Sequence, residues 1–324
     1  MLVLLTACAP TPQELAFSGN ALGTSYSVKV IDRRGDLAAA GLPERVREVL
    51  DDLDRKLSTY KPDSELNRLN RQPLGVPFAA SKDLYQVLAI ARRIYRMSDG
   101  AFDPTVRPLV DLWGFGPVDT GDRVPADPEI AALLERIGFD RIELGSGDQI
   151  IRRGDVTLDL SAVAKGFIVD RLAEELVALG ASDLMVEVGG EIRVRGRRAD
   201  GGLWRIAVEA PRPGGGAVER ILELTDLGVA TSGDYRNYFE RDGVRYSHTL
   251  DPQSGRPVQH RLASVTVLAP TSAEADAVAT ALMVMGEERG LEFATAHELA
   301  VLLLVRQGDG FVEVASPRMA PYLQ

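Results

Sequence analysis

Asp276 and Thr280 stand four positions apart in the run Ala275-Asp276-Ala277-Val278-Ala279-Thr280. On a helix that spacing puts a carboxylate and a hydroxyl on one face. With carbonyls and waters they make a site for a hard cation, and the alanines leave room for a bulky ligand. Taken alone, a solvated Asp and a Thr bonded to its own turn explain the run at least as well. A second run, Asp159-Leu160-Ser161-Ala162-Val163-Ala164-Lys165-Gly166, reads as a strand ending in a carboxylate and a helix capped by Ser161. Free N–H groups and the positive end of the helix dipole suit an anion there, and Lys165 adds a point charge for phosphate. Alone, a capped helix with a surface lysine is the simpler account.

Residues 230–235 and 246–257 gather small, polar and turn-forming residues around a strand hairpin, the composition of functional loops. His248 lies in the second stretch and titrates near neutrality, as a general base must. Gly189-Gly190-Glu191 follows an apolar strand and marks a tight backbone approach or a β-bulge. There is no Gly-x-x-x-x-Gly-Lys-Ser/Thr loop and no Gly-x-Gly-x-x-Gly opening a helix. With only His248, His260, His297 and a single cysteine, a His/Cys metal cluster is excluded.

The elements that must carry these residues follow from periodicity. Residues 24–31 alternate as a half-buried strand, and Pro43 opens a helix with Val46, Val49, Leu50, Leu53 and Leu57 on one face. Ser64 caps a short helix with Leu66 and Leu69, and a further helix covers 81–97, stopped at Asp99-Gly100. A loop-rich stretch over 102–128 precedes a helix near 128–137 and strands near Ile142 and over 156–160. Helices are expected over 161–179 and 272–285, each closed by glycine, with strands at 184–188, 192–194, 204–208, 221–224 and 264–268. Residues 211–216 read as a hairpin tip, and 299–305 with 311–314 as a final hairpin. Hairpins outnumber clean βαβ units, so the expected class is α+β: mixed, largely antiparallel sheets with packed helices.

The 324 residues carry a net charge of −10, which argues against a general nucleic-acid binder, since phosphate backbones reward clustered Lys and Arg. An anionic nucleotide would be bound locally, through a metal, a helix N-terminus or a few basic groups. The run Leu2-Val3-Leu4-Leu5-Thr6-Ala7-Cys8 resembles the end of a bacterial lipoprotein signal, with Cys8 as the lipidated first residue; the missing basic n-region fits a start further upstream. Residues 9–13 then read as a tether. The domain division is a signal remnant and tether over 1–18 and one catalytic domain over 19–324.

Taken together, stretches 23–26, 58–66, 100–105, 108–110, 112–116, 159–166, 188–191, 230–235, 246–257 and 275–280 resemble the ApbE family of FAD:protein FMN transferases, in family order over nearly the whole chain after the tether. The resemblance implies a periplasmic, lipid-anchored enzyme on the bacterial inner membrane. FAD would be contacted by Leu22, where relatives often have Met, and by Tyr60, Ala101, Phe102, Asp103, Asp159 and Lys165. It implies Mg²⁺, with Mn²⁺ as an alternative, held by the Ala162 carbonyl, Asp276, Thr280 and the Ala279 carbonyl; His248 and Asp276 would be catalytic. FMN would pass to a Thr of a target flavoprotein, such as a subunit of Na⁺-translocating NADH:quinone oxidoreductase or an Rnf-type complex, with release of AMP. Two rivals remain: an FAD pyrophosphatase with water as acceptor, and a non-catalytic FAD-binding lipoprotein.

Overall fold

The computed structural model describes residues 11–116, 121–212, 218–235 and 237–323, so Cys8 and most of the expected hairpin tip lie outside the described residues. Strands β1 (Gln13–Ala21) and β2 (Thr24–Asp32) form a hairpin around Leu22 and Gly23, both with positive φ (56° and 74°). Strand β1 starts at Gln13, inside the stretch 1–18 expected as signal remnant and tether, so residues 13–18 belong to the sheet. Leu15 and Phe17 pack against the core and alternate with the exposed Glu14, Ala16 and Ser18, as in a half-buried strand. Helices α1 (Leu42–Leu57) and α2 (Glu65–Arg71), strand β3 (Phe78–Ala79), and helices α3 (Lys82–Met97), α4 (Arg107–Leu112) and α5 (Asp127–Leu134) follow. Next come β4 (Ile142–Leu144), β5 (Gln149–Arg152), α6 (Ala164–Ala178), β6 (Leu184–Val188), β7 (Glu191–Arg195), β8 (Trp204–Glu209), β9 (Val218–Leu224) and β10 (Gly228–Gly233). Short hairpins β11 (Tyr238–Arg241)–β12 (Val244–Ser247) and β13 (Leu250–Asp251)–β14 (Arg256–Pro257) lead into β15 (Leu262–Ala269), α7 (Ser272–Met285), α8 (Glu287–Ala296), β16 (Ala300–Gln307) and β17 (Gly310–Ala315).

One sheet of order β1-β2-β6-β7-β10-β15-β16-β17, antiparallel at every pairing, organises the molecule, so the α+β expectation holds. One face carries α1, α3, α6 and α7 over Val28, Val186, Val265 and Val267. The other is covered by the β8–β9 hairpin, whose Trp204, Ile206 and Leu222 pack on Val194, Val229 and Leu302. Burial from both sides explains the unbroken apolar run of β15, every residue of which is buried.

The capping signal acts as expected for α2, where Ser64 accepts from Asn67 N–H (3.1 Å); at α3 the structure adds a cap of the same kind, Ser81 accepting from Leu84 N–H (3.2 Å). Residues 156–160 depart from expectation. They run extended with a single bridge, Val106↔Thr157, because the segment is held by loops: Asn70 bonds both backbone groups of Leu158, and Asp159 N–H donates to Pro104 O (2.7 Å).

Ser161 does not cap α6 either. It sits exposed in a turn, its N–H donating to Asp159 Oδ1 (2.8 Å), and the helix starts at Ala164 with no side-chain cap from Val163. The cap comes from another helix. Asp276 of α7 accepts from Gly166 N–H (3.1 Å), in the first turn of α6, while Asp170 of α6 accepts from Ser272 N–H (2.9 Å) and Ala273 N–H (2.8 Å), in the first turn of α7. Each helix thus satisfies orphan donors of the other. The crossing is so close that a Cβ on Gly166 would lie 2.3 Å from the Ser272 carbonyl oxygen. Gly166→Ala should therefore lower the unfolding free energy in urea by roughly 1–3 kcal/mol through overpacking. Gly310→Ala, which meets nothing within 4 Å, is the control and should change it by less than about 0.5 kcal/mol.

Candidate active site

A cleft of about 620 Å³ opens where the central sheet changes length. The β6–β7 hairpin turns at Gly189 and Gly190 (φ 62° and 105°), and the ladder between β7 and β10 ends at Ile192↔Val229. Strand β10 runs on to Gly233, paired with β15 alone. Gly189, Gly190 and Glu191 form one lip of the gap, Thr231, Ser232 and Gly233 the other. A Cβ on Gly189 would lie 3.0 Å from the Thr24 side chain and 3.3 Å from that of Lys165, so glycine lets the lysine lie across the hairpin.

Of the residues singled out in the sequence, Tyr60, Ala101, Phe102, Asp103, Asp159, Ala162, Lys165, His248, Asp276 and Thr280 all line this cleft. Two do not. Leu22 occupies the β1–β2 turn and packs against the core, and Ala279 is fully buried within α7, where its carbonyl belongs to the helical ladder.

Asp276 is almost completely buried, and burial pushes its carboxyl up despite the Lys165 charge and the Gly166 N–H. Glu191, equally buried, holds Lys165 Nζ at 2.5 Å through Oε1, while its Oε2 is buried without a hydrogen-bond partner. Burial pushes the Glu191 carboxyl up as well; the Lys165 charge opposes this and the Asp276 charge reinforces it. Two desolvated carboxylates thus share one ammonium. A divalent cation fits such a place: the Asp276 carboxylate and the Thr280 hydroxyl are hard oxygen donors facing the cleft. Among the described residues no group of three or more His, Cys, Asp or Glu is arranged for a metal, so an ion here would complete its shell with water and substrate oxygens, as Mg²⁺ does.

His248 Nδ1 lies 3.0 Å from the Asn237 carbonyl oxygen. A carbonyl only accepts, so this nitrogen carries the proton and Nε2 keeps its lone pair. Burial pulls the His248 pKa below the ordinary histidine value, keeping the ring neutral. The ring meets Phe115 edge-on at 6.4 Å, at the end of a row of stacked rings formed by Trp113, Tyr246, Phe239 and Phe115. Trp113 Nε1 donates to Gly255 O (2.9 Å), so the row ties residues 112–116 to 246–257.

The opposite wall is a set of loops tied together by carboxylates. Asp103 accepts from Thr105 N–H (2.8 Å) and Oγ1 (2.6 Å), and burial raises its pKa to about 6. Asp159 accepts from Ser161 N–H and from Thr59 Oγ1 (3.5 Å), next to Tyr60, which is 69% exposed at the rim. Glu191 was not among the expected site residues. The Gly189-Gly190 turn before it was its only local signal, because its partner Lys165 is distant in sequence.

The ApbE family's sequence model matches residues 22–303. The FAD:protein FMN transferase of Vibrio cholerae is 43% identical over 322 residues, covering 99% of this chain and 96% of that protein. That of Haemophilus influenzae is 43% identical over 324 residues, covering 98% and 93%. Among solved structures, the apo flavinyl transferase ApbE of Pseudomonas stutzeri superposes with a TM-score of 0.89 at 41% identity, covering 96% of this chain and 97% of that one. The flavin transferase ApbE of Vibrio cholerae gives 0.89 at 42%, covering 96% and 100%.

The shared ammonium yields a stability prediction. Lys165→Met leaves both carboxylates buried without their cation and should cost about 2–3 kcal/mol in urea unfolding at pH 8. Carboxyls whose folded pKa lies above the unfolded value are tolerated when protonated, so the deficit should shrink as pH falls to 5. Adding Glu191→Gln to Lys165→Met should recover most of the loss at pH 8.

Proposed function

This chain belongs to the ApbE family, and we propose that it moves the FMN half of FAD onto a Thr hydroxyl of a target protein, releasing AMP, with Mg²⁺ (or Mn²⁺) held at Asp276 and Thr280. One observation carries this reading: a single cleft gathers an oxygen pair for a cation, an ammonium, and a histidine with a free, unprotonated ring nitrogen. Relatives matching over nearly their whole length are FAD:protein FMN transferases.

The cation would be held by the Asp276 carboxylate and the Thr280 hydroxyl, with the Ala162 carbonyl nearby, and supplies charge neutralisation for the diphosphate when bound. Lys165, held by Glu191, adds a second positive charge at the first turn of α6, where the helix dipole favours phosphate. The acceptor oxygen attacks the FMN-side phosphorus; a P–O bond forms as the bond to the AMP phosphate oxygen breaks. The hydroxyl proton passes to Nε2 of His248, whose Nδ1–H is fixed by Asn237. Tyr60 at the rim and the 101–103 backbone border the flavin end by family resemblance.

Targets are flavin-carrying subunits such as those of Na⁺-translocating NADH:quinone oxidoreductase or an Rnf-type complex, and the enzyme sits on the periplasmic side of the inner membrane, anchored at Cys8. Both rest on the resemblance and on the Leu5-Thr6-Ala7-Cys8 order.

With FAD, Mg²⁺ and an acceptor domain, the wild-type protein should give a flavin adduct that survives denaturation, and Asp276→Ala should lower its formation at least about 100-fold. Normal transfer by Asp276→Ala would sink the metal assignment, and AMP release without any adduct would make the protein a pyrophosphatase. The base role fixes the pH profile. Because only neutral His248 accepts a proton, the transfer rate should rise with pH through a midpoint below the ordinary histidine value and level off above it. His248→Ala should remove that limb and cost about 100-fold or more in kcat, read from single-turnover adduct formation.

A further inference from the structure

Strand β10 leaves one edge open inside the cleft, and the register says which groups it offers. Val194 N–H donates to Leu227 O (2.9 Å), in line with the pairs Arg193↔Gly228 and Ile192↔Val229. In an antiparallel ladder alternate residues point their backbone groups to the same side. Leu227 and Val229 therefore face β7, and Thr231 and Gly233, beyond the last rung, point the same way into the gap. Asp234 N–H donates to Ala263 O (3.2 Å), which confirms that the even-numbered residues serve β15. Among the described residues no strand pairs with β10 on this side after Val229.

Resting on the transferase reading above, we infer that the acceptor protein docks by adding an extended segment to this open edge, bonded to the backbone of Thr231 and Gly233. An edge offering N–H and C=O groups at strand spacing is complementary to another extended chain. The side chains here are small: Gly233 has none, and a Cβ there would lie 2.5 Å from the Tyr235 ring. The Thr231 hydroxyl is engaged with Thr266 across β15 (2.8 Å), so the edge presents backbone. Thr231, Ser232 and Gly233 line the same cleft as Asp276, Lys165 and His248, so a strand laid here delivers its own hydroxyl to the reacting phosphate. Affinity then comes from main-chain bonds, and a range of segments is accepted as long as one hydroxyl falls in register.

The test needs no change to the enzyme. A flavin-acceptor domain is assembled by ligation with single N-methyl groups on successive backbone nitrogens flanking its modified Thr, and KM for acceptor is measured by adduct formation at saturating FAD. Docking on β10 predicts alternation: methylation at every second residue raises KM roughly tenfold through a lost hydrogen bond, and at the intervening residues changes it little. Effects that are absent, or equal at all positions, overturn the docking and leave the transferase reading standing, because the unmethylated acceptor is still labelled. If the unmethylated acceptor is never labelled although the protein binds FAD, the transferase reading falls and takes the docking with it.

Discussion

Two helices hold each other's first turns, and the cleft is built on that exchange. Helix α6 has no side-chain cap from its own segment; Asp276 of α7 accepts from Gly166 N–H in its first turn. Helix α7 in turn receives two bonds from Asp170 of α6. In both directions a carboxylate within the first two turns of one helix reaches the start of the other. The exchange demands close approach, which is why Gly166 faces the Ser272 carbonyl and why Gly228 of β10 packs against the start of the same helix, where a Cβ would be 2.3 Å from Ser272 N. Such contacts fix the angle of α7, and with it the direction in which Asp276 and Thr280 point.

The sheet supplies the space. Four strands stop at the turns Leu22-Gly23 and Gly189-Gly190, while β10 and β15 continue past them. The vacated volume is walled by backbone, small side chains and charged groups brought in by the helices. Its electrostatics follow from burial. Glu191 and Asp276 are both deprived of water beside Lys165, and burial pushes both carboxyls up, so ionising the pair calls for more positive charge than one ammonium. Burying such charge is costly unless something positive completes it. A cation and a diphosphate together would bring both signs.

Much of this was legible in the sequence where the determinant is local. The i, i+4 relation of Asp276 and Thr280 depends only on helix geometry, and the helix is there. The cap at Ser64 is likewise local, and it acts as read. What was missed depends on distant partners. Glu191 acquires its role from a lysine on another element, and residues 156–160 look like a strand but are tied by Asn70 and Pro104 into an extended loop. Residues 230–235 were read as a functional loop because Thr231-Ser232-Gly233 has loop composition; beyond Val229 their strand character comes from β15 alone. Helix α8 follows α7 after the single residue Gly286, so one glycine both ended a helix and began another, and only the first was anticipated. Leu22 fits the family's order but sits in a turn off the cleft, where backbone geometry counts for more than its side chain.

The bond from Gly166 N–H engages Oδ2 of Asp276. An ion held there would share Oδ2 with that N–H or bind Oδ1, a setting in which a one-oxygen contact suffices. That favours small octahedral ions, which accept one-oxygen carboxylate contacts and keep several waters. It disfavours Ca²⁺, which prefers six to eight ligands and often takes both oxygens of an acidic side chain. Discrimination between the two alkaline-earth ions would then be written into a helix cap, well before any substrate arrives.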